Sequence, residues 1–171
     1  MKDSGSIKNP LYFILILKMF SKKELAQSRK EFWMIFGQYM SPVLSSEDEK
    51  INWINYKTGV KGLQFKMNVV QDVASISIEI NHSDIEEQRI IFEKLLQLKH
   101  LLNNCLKEDW NWALHVPGDG GKLVSKIYQE RKGINIMRKE EWPALISFFK
   151  PRMLALDEFW NSVKYSFEEW K

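Results

Sequence analysis

The chain has 171 residues, 44% of them apolar and 27% charged, which is the size and make-up of one globular domain and excludes intrinsic disorder. A net charge of +3 and a pI near 8.8 permit a polyanionic partner without requiring one. The single cysteine, Cys105, excludes an internal disulfide and a cysteine-cluster zinc site, and fits a reducing cytoplasm.

Residues 1–18 differ from the rest. Leu11 to Leu17 is an unbroken apolar run between Lys8 and Lys18. A membrane-spanning helix needs about 20 apolar residues, so the run is too short, and no small-residue cleavage site follows it. Met19-Phe20-Ser21-Lys22-Lys23-Glu24 reads as a natural start, so residues 1–18 are expected to be an upstream extension and 19–171 a single domain. Ser21 and Glu24 have capping-box spacing, and Leu25, Phe32, Ile35, Phe36 and Tyr39 recur at helical intervals, which predicts a helix over 21–40. Ser41-Pro42 ends it.

Ile51–Asn55 is expected to be a short strand. Leu63, Phe65, Met67 and Val69 alternate with polar neighbours, and Ile76, Ile78 and Ile80 do the same beyond a short polar turn, which predicts a half-buried hairpin. Ser83 and Glu86 repeat the capping-box spacing ahead of an apolar stripe through Ile91, Leu95, Leu98 and Leu102, predicting one long helix over 83–106. Trp110–Leu114 and Leu123–Glu130 read as strands around the turn cluster Pro117–Gly121, and Ile134–Ile136 as a last short strand. Pro143 suits a first helical turn, and Pro151 predicts a kink in the aromatic C-terminal helix. The order predicts an α+β fold: a mainly antiparallel sheet packed by an N-terminal helix, a long central helix and a kinked C-terminal helix.

The densest local pattern is Trp53-Ile54-Asn55-Tyr56-Lys57-Thr58-Gly59-Val60-Lys61-Gly62. It resembles the signature of a bacterial, Bacteroidetes-type family of unknown function, found alone or C-terminal to nuclease-like domains. The likeness continues through Ile76–Ile80, Trp110–Trp112, Glu141–Pro143, Phe149–Arg152 and Leu156–Trp160, over roughly residues 19–165. The resemblance implies no defined activity. Through the nuclease-like neighbours it implies a setting in restriction, defence or DNA maintenance.

Tyr56, Lys57 and Lys61 offer an aromatic face and two cations, Gly59 and Gly62 let backbone amides approach a phosphate, and Lys66 extends the charge. The same glycines also fit a plain tight turn. With Lys122, Lys126 and Arg131 as weaker members, these residues are the candidate nucleic-acid contacts, for DNA or RNA, binding phosphate without reading sequence. Phe159, Trp160, Phe167 and Trp170 are the candidate interface, with a second copy of the chain or a nuclease-like protein as partner. A third reading is a metal-dependent nuclease, from Gln64-Phe65-Lys66 with Glu47, Asp48 or Glu49. Gly118–Lys122 lacks Walker spacing, and His82 with Asp84, or His115 with Asp119, forms no ligand pattern. No catalytic constellation, cofactor site or metal site is recognised, and no membrane segment is expected.

Overall fold

Alternation in two hairpins sets the frame. The computed structural model describes residues 10–70 and 72–171. Strands β1 (Leu63–Val70), β2 (Val73–Ile80), β3 (Asn111–Pro117) and β4 (Leu123–Lys132) form one antiparallel sheet in the order β1-β2-β4-β3. Cross-strand register aligns Phe65, Ile78, Ile127 and Trp112 in one row and Lys66, Ser77, Tyr128 and Asn111 in the next. Because side chains alternate, one face is apolar and the other polar.

The helices α1 (Pro10–Met40), α2 (Ile85–Gln97), α3 (Lys99–Leu106) and α4 (Trp142–Val163) bury their apolar stripes on the apolar face and on one another. Phe65 meets Trp160 of α4 edge-on at 6.2 Å, Trp112 meets Phe92 of α2 at 5.6 Å, and Phe32 of α1 lies 6.3 Å from Phe149 of α4. The result is a single α+β domain of antiparallel sheet and one-sided helices. No helix among the described residues is long and apolar enough to cross a membrane.

Several local expectations are corrected. α1 starts at Pro10, so Ser21 lies inside it, and its hydroxyl donates to the Lys18 carbonyl instead of capping an end. Ile51–Asn55 is a loop in which Asn52 Oδ1 accepts from the amides of Ile54 and Asn55; a side chain replaces the strand ladder there. The long helix divides at Leu98 (φ −95°, ψ 6°), which keeps α2 over the sheet while α3 turns onto α4. Its N-cap is Asp84, which accepts from Glu86 and Glu87, so the cap lies one residue later than the Ser83 spacing implies. β4 continues to Lys132 opposite Val73, and Ile134 and Ile136 are core plugs in a loop. Pro143 sits in the first turn of α4 as expected, and α4 runs through Pro151 without a break before a 3₁₀ segment, Lys164–Trp170.

Candidate functional site

The loop between α1 and β1 is held from several directions. Trp53 Nε1 donates to the Val43 carbonyl at 3.0 Å, and Trp160 Nε1 donates to the Thr58 carbonyl at 3.0 Å. The buried Thr58 hydroxyl accepts from Val60 and donates to the Leu63 carbonyl at 2.7 Å. Lys61 donates its backbone amide to the Trp170 carbonyl at 2.9 Å. Gly59 and Gly62 adopt φ of 78° and 75°, and a Cβ on Gly62 would lie 2.8 Å from His82 Cα. A side chain is therefore excluded at Gly62 by both space and conformation.

Tyr56 belongs to this scaffold. Its ring stacks on Phe65 at 4.8 Å, and its hydroxyl donates to Asp157 Oδ1 at 2.7 Å. Asp157 is only 2% exposed and also accepts from the Ser46 amide at 2.6 Å and from Asn161 Nδ2 at 3.1 Å. Burial, and then the hydrogen bond to Asp157, push the Tyr56 phenol well above the usual tyrosine range. Lys57 and Lys61 project outward from this frame, exposed, and their ammonium groups have no carboxylate partner among the described residues.

The open sheet face adjoins the loop at Gln64, whose amide donates to Glu79 at 3.0 Å. Lys66 Nζ then lies 3.5 Å from Glu79 and 2.6 Å from Asp119. Hydrogen bonding to Asp119 raises the Lys66 pKa, and the same bond, with the charges of Lys66 and Lys126, lowers that of Asp119. Lys126 Nζ sits 4.4 Å above the Tyr128 ring. A shallow cavity of about 200 Å³ lies among these groups, lined by the sheet and by the β3–β4 hairpin tip, Pro117–Asp119.

The sequence-stated candidates thus divide. Lys57 and Lys61 share the loop; Lys66 and Lys126 share the sheet face, with exposed Lys122 on the hairpin tip. Arg131 pairs with Ala74 and so stands on the opposite, helix-bearing face. Phe159, Trp160 and Phe167 are buried in this chain's own core, and the half-buried Trp170 donates to Glu87. Gln64 and Lys66 meet Glu79 and Asp119, not Glu47, Asp48 or Glu49. No group of three or more His, Cys, Asp or Glu side chains able to hold a metal occurs among the described residues. His82 Nδ1 accepts from the Asp84 amide, and His115 Nε2 lies 3.2 Å from the Ile85 carbonyl. Burial raises the Cys105 thiol above its usual range, which suits an unreactive packed residue. The sequence reading set neither Glu79 nor Asp119 against Lys66 as an ion-pair partner. Strand parity puts Glu79 beside Lys66, but nothing local links Asp119 to a lysine 53 positions away.

A family model described as a domain of unknown function, DUF4268, matches residues 28–164. The chain belongs to the DUF4268 family. The DUF4268 match takes in the pinned loop, all four strands and α4, so both lysine groups lie within it. No curated protein and no solved structure matches the chain.

Proposed function

We propose that this DUF4268 domain is a non-catalytic accessory module that contacts nucleic acid by phosphate neutralisation. The contact surface is the Lys57–Lys61 loop continued by Lys66 and Lys126 on the open sheet face, with Lys122 at its rim. The observation that carries the reading is the contrast within the loop: its aromatics, Thr58 and glycines are tied into the fold, while Lys57 and Lys61 are exposed without an acidic partner among the described residues. Cations on a rigid platform bind phosphate without ordering cost in the loop itself. A bacterial cytoplasmic setting in restriction, defence or DNA maintenance belongs to the same proposal and rests on the resemblance of the signature.

Fluorescence anisotropy with labelled duplex DNA, single-stranded DNA and RNA, at low and moderate salt, tests it. Micromolar, salt-sensitive binding is expected, and Lys57→Glu with Lys61→Glu is expected to weaken it at least tenfold while the circular dichroism spectrum is retained. Unchanged affinity in that variant would remove the loop from the interface. Mg²⁺-dependent cleavage of a probe would instead support the nuclease reading. Self-association through Trp170, the one of the four aromatic candidates with exposed surface, predicts a mass that rises with concentration.

A further inference from the structure

We infer that the open sheet face holds a phosphate subsite, and that the chain's own Asp119 fills it when no partner is bound. The inference rests on the nucleic-acid reading and deepens it: the ligand is a phosphodiester, and the glycine-rich hairpin tip is its internal competitor.

The subsite shows first in hydrogen-bonding groups left unused. The side chains of Asn68, Ser75, Ser77 and Tyr128 line the cavity, and none has a hydrogen-bond partner among the described residues. Ser77 as a residue is 8% exposed, and its unpartnered hydroxyl still reaches solvent. Polar groups gathered in a concavity without protein partners are suited to an external acceptor. Lys66 and Lys126 supply the charge that makes that acceptor an anion. Glu79, tied to Gln64, holds Lys66 from the other side.

Asp119 behaves as an occupant more than as a part of the wall. Its side chain is 81% exposed, yet it lies 2.6 Å from Lys66. The tip that carries it is closed by its own bonds, Gly118 amide to Lys122 carbonyl and Gly121 amide to Gly118 carbonyl. A Cβ on Gly120 or Gly121 would meet nothing within 4 Å, so the tip is not packed there. Sheet pairing ends at Pro117 opposite Leu123, just below it. Gly118 at the foot of the tip lies against the buried Val124, so the movement is confined to Asp119–Gly121, where it breaks one surface ion pair.

Charge makes the exchange even. Lys66 and Lys126 balance Glu79 and Asp119 in the closed arrangement; with Asp119 withdrawn, one positive charge is left over, which a phosphodiester monoanion neutralises. Removing the competitor should therefore strengthen binding modestly and add about one phosphate contact.

The test uses the full chain and a labelled single-stranded DNA, comparing wild type, Asp119→Asn, Lys66→Gln and the double variant by anisotropy over a salt series. Asp119→Asn is expected to bind about two- to fivefold tighter, the scale of an exposed ion pair. Its slope of log affinity against log salt should steepen by about 0.7, the value for one single-strand phosphate contact. In the Lys66→Gln background the Asp119 substitution should have no effect. Titration with inorganic phosphate should shift the NMR signals of the Asn68 side-chain amide and of the Gly118, Gly120 and Gly121 amides. Wild type binding with Asp119→Asn unchanged overturns the subsite and leaves the nucleic-acid reading standing on the loop. A gain from Asp119→Asn that persists without Lys66 also overturns it, since the effect is then net charge alone. Absence of binding by both wild type and Asp119→Asn overturns subsite and function together.

Discussion

At the residue scale the decisive group is a buried carboxylate. Asp157 is accommodated inside the fold because Ser46, Tyr56 and Asn161 all donate to it. Tyr56→Phe removes one of these donors and leaves the ring stacked on Phe65. It is expected to cost about 1–3 kcal/mol in urea denaturation, the range for a buried polar group losing a partner. A pH consequence follows from the raised phenol. The folded state holds Tyr56 protonated where the unfolded chain would release the proton. The stabilisation is full below the ordinary tyrosine range and is lost as pH climbs above it. Stability of wild type is thus expected to fall on the alkaline side, and that fall should be shallower in Tyr56→Phe. Little of this was legible in sequence. Tyr56 next to Lys57 resembles a stacking platform, and only tertiary structure reveals that its hydroxyl is bound 101 positions away. The exposure of Lys57 and Lys61 was legible, because they flank Gly59 in a stretch with no apolar period.

At the element scale, β1 and β2 follow from alternation so directly that their partners are in register along all eight residues. The helices follow from their stripes, but their limits do not. Nothing in Gln97-Leu98-Lys99 marks a break, since neither glycine nor proline is present and the bend arises from α3 packing on α4. The triplet Ile134-Asn135-Ile136 has strand-like composition because its isoleucines plug the core, and a period of two over three residues cannot distinguish a plug from a strand. The two loop glycines provide a direct test of local geometry. Gly59→Ala meets open space and carries only the conformational cost of a positive φ, about 1–2 kcal/mol. Gly62→Ala adds a clash with the His82 backbone and is expected to lower the thermal midpoint further, measured by circular dichroism melting.

At the scale of the whole molecule, α1 to α4 lie on one side of the sheet, which leaves the polar face without a helix over it among the described residues. That asymmetry was legible, since Lys66, Ser77 and Glu79 fall on one parity and Phe65, Ile76 and Ile78 on the other. The crossover that sets β4 between β2 and β3 was not, because hairpin rules speak only to neighbours in sequence. It is this crossover that brings Lys126 beside Glu79 and swings Asp119 over Lys66.

The bond from the Lys61 amide to the Trp170 carbonyl joins the signature loop to a residue beyond the family-matched segment. The final turn therefore works as a doorstop: it blocks the loop from swinging without belonging to it. A chain shortened to end at Glu169 retains every matched residue and the buried Phe167 but frees that amide, and hydrogen exchange at Lys61 is expected to accelerate while exchange in β2 stays slow. A tag fused behind Lys171 is expected to pull on the same doorstop and to speed exchange at Lys61 in the same way.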